Sequence, residues 1–186
     1  MGFPKALLPL GGTTFIGCIL RKLAEAGLDR PIVVLGRDAE RIRPEIEVFH
    51  LYILTNSDPD RGQLSSIQIG ISAAADCGGG CLLWPVDHPH VSAELVARLV
   101  RLFRSSGAPI AAPQYAGQKG HPTLFRRSLF RELHEAPLTA GAKTVVLRHL
   151  HEIALMEVDE PATVEDVDTP EEYTRLTGLS VPDREN

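Results

Sequence analysis

One carboxylate stands where an α/β sheet would bind a ligand: Asp87, in the segment Trp84-Pro85-Val86-Asp87-His88-Pro89. The segment follows the end of residues 81–84, whose apolar composition predicts a buried strand. Because ligands of open α/β sheets bind at the carboxyl ends of strands, Asp87 could hold Mg²⁺ against a triphosphate. The alternative is that Asp87 only caps a turn before the helix that begins after Ser92.

A second acidic segment, Glu165-Asp166-Val167-Asp168-Thr169-Pro170, places carboxylates at alternate positions. Alternate residues of an extended chain project to the same side, so one of these acids could complete a metal site with Asp87. The alternative is a solvated acidic turn in which Thr169 serves only as a helix cap.

The N-terminal segment offers a cation for phosphate. Lys5 stands between Pro4 and an apolar run, and Gly11-Gly12-Thr13 opens a predicted helix. A lysine held in this way is a plausible grip on phosphate charge. The alternative is a Lys5 that is simply solvated, as lysines near a terminus usually are.

Polar groups also cluster at another predicted helix start, in Arg61-Gly62-Gln63-Leu64-Ser65-Ser66. The flexible Gly62, the amide of Gln63 and the hydroxyls of Ser65 and Ser66 could read a nucleobase or hold a phosphate. Ordinary N-capping of the helix explains the same residues equally well.

A turn-rich insertion contains Gly120-His121-Pro122, in which Gly120 permits a tight turn and the following proline stiffens His121. An imidazole directed outward there could border a ligand, although a single His in a loop is commonly a surface residue. Lys119, next to this turn, is a weaker candidate for a ligand contact.

Alternating apolar runs and helical patterns must position these groups, and they predict an α/β sheet with helices on its faces. Strands are predicted at residues 32–35, 51–54, 81–84, 110–112, 123–125 and 153–158. Helices are predicted at residues 13–26, 38–43, 65–75, 128–134 and 142–150, between Ser92 and Gly107, and from Thr169-Pro170 onward. Pro44 is expected to close the helix at residues 38–43.

The chain has 186 residues, 44% of them hydrophobic and 23% charged, which is ordinary for one globular domain. A net charge of −5 argues against nucleic-acid or anionic-membrane partners. No apolar run approaches the roughly 20 residues needed to span a bilayer, and the N-terminus lacks a signal-peptide pattern. Cys18, Cys77 and Cys81 form neither a disulfide framework nor a complete zinc set, so we expect reduced thiols and a cytoplasmic location.

In order along nearly the whole chain, these segments resemble the MobA-like nucleotidyltransferases, and among them the molybdenum cofactor cytidylyltransferases. Residues 3–10 match the end of the family's N-terminal signature, and residues 61–67 resemble its loop-helix segment. Residues 85–89 stand at its metal-binding Asp. Residues 120–125 resemble a segment of the cytidylyl branch, and residues 166–172 match the C-terminal acidic motif.

The resemblance implies a three-layer α/β/α Rossmann-like fold of the nucleotide-diphospho-sugar transferase type. It implies an Mg²⁺-dependent transfer of NMP from an NTP, with CTP favoured, to a phosphorylated acceptor such as molybdopterin, releasing pyrophosphate. In that reaction Asp87 and Asp168 would hold Mg²⁺, and Lys5 would neutralise phosphate charge. Gly62, Gln63, Ser65 and Ser66 would form the nucleobase site. Gly120 and His121 would form the acceptor site.

The family begins with a strand and a Gly-rich loop ending in Arg, and Met1-Gly2 falls where the Met-Gly after that Arg would be. We therefore expect one domain over residues 1–178 without this strand and loop, then a tail over residues 179–186. Either the start is misassigned or truncated, or the protein is a diverged relative. The alternatives are a sugar- or polyol-phosphate nucleotidyltransferase and a non-catalytic relative that handles cofactor or docks a molybdoenzyme.

Overall fold

The computed structural model describes residues 2–75 and 78–182, so Cys77 and the last four residues of the predicted tail lie outside the described residues. Its strands are β1 (Pro9–Leu10), β2 (Thr13–Thr14), β3 (Ile32–Leu35), β4 (Tyr52–Thr55), β5 (Gly80–Leu83), β6 (Ile110–Tyr115), β7 (Gln118–Lys119), β8 (Thr123–Arg126) and β9 (Ile153–Glu157). Its helices are α1 (Phe15–Glu25), α2 (Ala39–Ile46), α3 (Gln63–Ala73), α4 (Ala93–Ser106), α5 (Phe130–Glu135), α6 (Lys143–Arg148) and α7 (Pro170–Thr177).

The larger sheet has five strands and mixed direction. β8 pairs antiparallel with both β5 and β6, while β9 pairs parallel with β6. β5, β6 and β9 therefore run in the same direction, and their carboxyl ends lie at the same edge of the sheet. β7 forms a hairpin with the end of β6, and β3 and β4 form a separate parallel pair.

Helices cover both faces of the larger sheet. Ile110 of β6 and Phe125 of β8 pack into a buried cluster with α3 and α5. Their neighbours Ala111 and Leu124 point the other way and pack into a cluster with α4. This alternation of side chains places the strands between two helical layers and confirms the predicted three-layer α/β/α fold.

The pair of β3 and β4 belongs to the same layer. Ile32 of β3 joins the α3 cluster together with Cys81 and Leu83 of β5, whereas Val33 joins the cluster of α1 and α2 together with Leu82. Within the described residues, however, no strand is hydrogen-bonded between β3 and β5. The family resemblance predicts a first strand at the centre of the sheet. That this chain lacks the strand stays a prediction.

Two expectations about these elements were wrong in detail. The apolar runs of β3 and β5 predict buried strands, but Ile32, Val33 and Val34 of β3 and all four residues of β5 are only half-buried. The reason is that each strand has one hydrogen-bonded neighbour among the described residues, β4 for β3 and β8 for β5. Pro44 does not close α2, which continues to Ile46 because Ile42 and Ile46 are both buried on its inner face.

The helices described here also bear on the membrane question. Within residues 2–75 and 78–182, none of them has both the length and the apolar composition needed to cross a bilayer. The longest, α4, has 14 residues and buries one face, with Leu95, Leu99 and Phe103 directed into the protein.

Candidate active site

Three loops meet at the edge of the larger sheet where β5, β6 and β9 end. The loop after β5 carries Asp87, the hairpin after β6 leads to His121, and the segment after β9 carries Asp168. Because the three strands are parallel, the topology brings together residues that are far apart in the sequence.

Hydrogen bonds between backbone groups connect these loops. The N–H of Val167 donates to the carbonyl of Asp87 at 3.0 Å, which holds the residue before Asp168 against the Asp87 loop. The N–H of His121 donates to the carbonyl of Thr163 at 2.7 Å. The segment after β9 is thus bonded to both other loops and brings the predicted residues of all three together.

A glycine is required at position 120, before His121, although not for the tight turn that the sequence predicts. The tight turn is formed by Ala116 and Gly117, whose φ angles are 48° and 78°. Gly120 is buried, and a Cβ there would overlap the backbone carbonyl of Thr163. The absence of a side chain is therefore required by the close approach of the two loops.

Asp87 combines a fixed backbone with an unpaired carboxylate oxygen. The carbonyls of the next two residues accept hydrogen bonds, that of His88 from Trp84 Nε1 at 2.9 Å and that of Pro89 from Lys22 Nζ at 2.7 Å. Among the described residues, the buried Oδ1 of Asp87 has no hydrogen-bond donor, and His88 Nε2 lies 4.0 Å from it. A buried acceptor without a donor favours a cation at this position. Neither Trp84 nor Lys22 is among the residues that the sequence predicts for the site.

Lys5 and Asp168 form an ion pair that joins the two ends of the chain. Leu8 is fully buried with Val167 and Tyr173, which holds the segment of Lys5 against the segment of Asp168. The side chains of Lys5 and Asp168 are 28% and 54% exposed, so both remain accessible to a ligand. The structure therefore brings together the predicted phosphate cation and the second predicted metal carboxylate.

Two imidazoles near Asp87, those of His121 and His90, have lowered pKa values. Burial, and after it the neighbouring His88, lowers the pKa of His121 to about 4, against the opposite influence of Asp87 and Asp166. The rings of His88 and His121 lie 4.9 Å apart between centroids. Burial also lowers the pKa of His90. At neutral pH the rings of His121 and His90 are therefore uncharged.

The predicted nucleobase residues form a second, local network at the start of α3. The Ser65 hydroxyl is buried, donates to the carbonyl of Gly62 at 2.7 Å and accepts from Asn56 Nδ2 at 2.8 Å. Asn56 Nδ2 also donates to Ser66 Oγ at 3.0 Å. Gln63 is exposed and Ser66 half-buried, so these two are accessible, whereas Ser65 supports the helix start. Asn56 is not among the residues that the sequence predicts for this site, although a polar residue shortly after a predicted strand is a usable signal.

Comparison with known proteins identifies the family. The family model of the MobA-like NTP transferase domain matches residues 1–153 of the chain. The chain belongs to the MobA-like NTP transferase family. This result confirms the predicted family, its fold and its class as a nucleotidyltransferase enzyme. Asp168 lies outside the matched residues.

Individual relatives of this MobA-like protein carry different names. Nicotine blue oxidoreductase of Paenarthrobacter nicotinovorans is 28% identical over 181 residues, covering 93% of this chain and 87% of that protein. A probable molybdenum cofactor guanylyltransferase of Rhodopirellula baltica is 32% identical over 116 residues, covering 61% of this chain and 54% of that protein. The crystal structure of Rv0371c of Mycobacterium tuberculosis in complex with manganese matches with a TM-score of 0.79 at 27% identity, over 94% of this chain and 91% of that one.

The acidic residues of this MobA-like chain fit a divalent cation of the magnesium type. No group of three or more His, Cys, Asp or Glu side chains within residues 2–75 and 78–182 is arranged to enclose a metal. Mg²⁺ is nevertheless commonly held by one or two carboxylates that share it with water and substrate phosphates. The unpaired oxygen of Asp87 and the accessible carboxylate of Asp168 match that donor set.

Proposed function

We propose that the chain is an Mg²⁺-dependent nucleotidyltransferase that transfers NMP, from CTP by preference, to a phosphorylated acceptor such as molybdopterin. The observation that carries the proposal is the unpaired, buried Oδ1 of Asp87 beside the segment that holds the Lys5–Asp168 ion pair. Two carboxylates and a lysine at one sheet edge are suited to a reaction whose main demand is the neutralisation of phosphate charge.

The reaction itself is an in-line displacement at phosphorus. A phosphate oxygen of the acceptor forms a bond to the α-phosphorus of the NTP, the bond from that phosphorus to the bridging oxygen breaks, and pyrophosphate leaves. Mg²⁺, when bound, supplies positive charge to the phosphates. Asp87 and Asp168 would hold the cation, and Lys5 would add its charge near the same phosphates.

The remaining predicted residues divide between the two substrates. Gly62, Gln63 and Ser66 would contact the nucleobase, and Ser65 would fix the helix start through its bonds to Asn56 and Gly62. Gly120 and His121 would border the acceptor; the low pKa of His121 keeps its ring neutral, so it neither repels the cation nor pairs with the acceptor phosphate.

Other acceptors and roles remain alternatives to this proposal. Sugar- or polyol-phosphate nucleotidyl transfer uses the same phosphate chemistry, and only the acceptor separates it from molybdopterin transfer. A non-catalytic relative would bind nucleotide or cofactor without releasing pyrophosphate, and could dock a molybdoenzyme to deliver its cargo. The cytoplasmic location expected from the sequence belongs to the proposal as well.

A second candidate function is oxidoreduction. It is favoured by the match to nicotine blue oxidoreductase, which spans 93% of this chain. That activity would need an electron carrier, so a nicotinamide dinucleotide, tested in its oxidised and reduced forms, serves as the probe. Binding of this dinucleotide in preference to every NTP would favour the oxidoreductase, and Mg²⁺-dependent binding of one NTP would favour the transferase.

The test is a calorimetric titration of the full chain with CTP, GTP, ATP and UTP, each with and without Mg²⁺. The decisive variant is Asp87→Asn, which keeps the shape of the side chain and removes its charge. Its matched control is Asp29→Asn, the same change at an exposed residue in the segment before β3.

We expect Mg²⁺-dependent binding of one NTP, CTP by preference, and a loss of at least tenfold in affinity for Asp87→Asn alone. Equal affinity in the wild type and Asp87→Asn would overturn the metal role of Asp87. Release of pyrophosphate on addition of molybdopterin, but not of sugar phosphates, would establish the acceptor. Nucleotide binding without pyrophosphate release for any acceptor would favour the non-catalytic role.

A further inference from the structure

One carboxylate outside the predicted site joins two of its loops. Glu160 is half-buried at the start of the segment that leads from β9 to Asp168. Its Oε1 accepts a hydrogen bond from the backbone N–H of Ser92 at 2.6 Å, and its Oε2 accepts one from the Ser92 hydroxyl at 2.8 Å. Ser92 caps α4, the helix that follows Asp87. Both oxygens of Glu160 are therefore used on one residue of the other loop.

The electrostatics of α4 favour this contact. Ser92 Oγ accepts from the N–H of Leu95 at 3.1 Å while it donates to Glu160, so the hydroxyl is fixed in both roles. The negative charge of Glu160 lies at the N-terminus of a 14-residue helix, near unpaired N–H groups and the positive end of the helix dipole. Hydrogen bonds to an ionised acceptor are stronger than those between neutral groups.

The segment of residues 160–167 is short, and hydrogen bonds hold it at both ends. Thr163 is fully buried and donates to the carbonyl of Glu160 from its N–H at 3.2 Å and from its hydroxyl at 2.9 Å. At the far end, the N–H of Val167 donates to the carbonyl of Asp87 at 3.0 Å. Residues 160–167 are thus fixed to the Asp87 loop near both ends, through Glu160 and through Val167. Between them, Nδ1 of His88 lies 3.3 Å from the carbonyl oxygen of Ala162.

We infer that Glu160 is a positioning residue: by anchoring residues 160–167 to Ser92, it sets the separation between Asp87 and Asp168 and so the affinity of the site for a divalent cation. This inference rests on the proposed function, because it requires the two carboxylates to share a cation. Glu160 acts through Ser92 and the backbone and does not itself contact the cation.

The test measures Mn²⁺ affinity of the full chain by electron paramagnetic resonance of the free ion. We expect Glu160→Ala to weaken Mn²⁺ binding five- to tenfold. Glu160→Gln should recover most of the loss, because its amide oxygen still accepts from the Ser92 N–H and its amide N–H₂ reaches the hydroxyl. The control is Glu135→Ala, which removes an exposed carboxylate of α5 and should leave the affinity unchanged.

A double variant separates positioning from general destabilisation. If Glu160 acts by placing Asp87 and Asp168, adding Glu160→Ala to Asp87→Asn should cause no further loss of Mn²⁺ affinity, since the shared site is already broken. Losses that add in full would overturn the positioning role. Glu160→Asp is measured in parallel, because it keeps the charge but is too short to bond both Ser92 donors, and its affinity should be intermediate.

The outcomes also separate this inference from the proposed function. An Asp87→Asn variant that binds Mn²⁺ as well as the wild type would overturn the proposed function together with the inference. A loss in Asp87→Asn, with wild-type affinity in Glu160→Ala and Glu160→Asp, would overturn only the role of Glu160.

Discussion

Two regions of the molecule are stabilised in different ways: the edge of the larger sheet where β5, β6 and β9 end, and the start of α3. At the sheet edge, bonds join residues that are far apart in the chain, such as Val167 to Asp87 and Lys5 to Asp168. At the start of α3, the hydrogen bonds run between Asn56 and residues within ten positions of it. The first region depends on the whole fold, whereas the second is stabilised by local contacts beside a half-buried strand pair.

This difference bears on how the cation and the nucleotide would be bound. The loops that carry Asp87 and Asp168, called the acidic loops below, are joined by hydrogen bonds to each other. Their affinity for a cation should therefore follow the stability of the larger sheet. The start of α3 contacts that sheet through its buried face, with Leu64 and Ile67 in the cluster around Ile110 and Phe125. Its polar groups should therefore respond to local changes without disturbing the acidic loops.

The largest contrast is expected between two isoleucines that begin strands and point into the same cluster. Ile110 of β6 is fully buried, whereas Ile32 of β3 is half-buried against that cluster. Ile110→Ala should cost about 4 kcal/mol and Ile32→Ala about half of that, since less surface and fewer contacts are lost. Urea unfolding of both variants measures the difference. Equal losses would show that β3 is as well packed as β6.

A smaller effect is expected from the close approach of two loops at the sheet edge. Gly120→Ala would force a Cβ against the carbonyl of Thr163, and the resulting shift should cost about 3 kcal/mol and weaken Mn²⁺ binding. Gly79→Ala is the control, because a Cβ at Gly79 meets nothing within 4 Å and no positive φ opposes it. Urea unfolding and Mn²⁺ titration of both variants test this. A stable Gly120→Ala protein with wild-type Mn²⁺ affinity would contradict the packing argument.

Sequence patterns identified the elements and the chemical groups, because both follow from local rules. Strand ends predicted the place of Asp87, and alternating acids predicted Asp168. The connections between them could not be read from the sequence. Nothing in the chain near Glu160 indicates that it bonds Ser92, which lies 68 positions away. A contact of that kind depends on which strands are neighbours, and strand order is not encoded by periodicity.

The wrong details have the same origin. The composition of β3 indicates a buried strand, but burial depends on whether a partner lies on each edge. Pro44 indicates a helix end, but the buried Ile46 holds one further turn of α2 against α1. For Gly120, the sequence suggested a turn, whereas the requirement is set by Thr163 on a different loop. In each case tertiary packing decided an outcome that local propensity left open.

The next prediction tests whether the start of α3 is independent of the acidic loops. Asn56→Ala removes the bonds from Nδ2 to Ser65 and Ser66 and the bond that Oδ1 accepts from the Asp58 N–H. It should cost about 2 kcal/mol and weaken nucleotide binding, because the buried Ser65 hydroxyl and the half-buried Ser66 hydroxyl lose the Nδ2 donor. Mn²⁺ affinity should stay at the wild-type value. Calorimetry with CTP and with Mn²⁺ alone measures both, and a parallel loss of Mn²⁺ affinity would show that the two regions are coupled.

The last prediction concerns pH, and the effect should arise at the acidic loops, since residues 56–66 at the start of α3 contain no histidine. The pKa of His121 is lowered from 6.5 to about 4, mainly by burial. Between these values the unfolded chain binds a proton that the folded chain does not. Above pH 6.5 the ring is neutral in both states, and the contribution of His121 to the stability of the folded chain is complete. That contribution is lost as the pH falls from 6.5 toward 4.

His121→Gln removes this group. The slope of the free energy of unfolding against pH, between pH 6.5 and 4.5, should then decrease by the equivalent of up to one bound proton. The residual slope is expected to include His90, whose pKa is also lowered by burial. Urea unfolding at intervals of half a pH unit, without metal, measures both slopes. A slope in His121→Gln equal to that of the wild type would show that the ring of His121 is solvated in the folded protein, and that the acidic loops are less closely packed than their hydrogen bonds indicate.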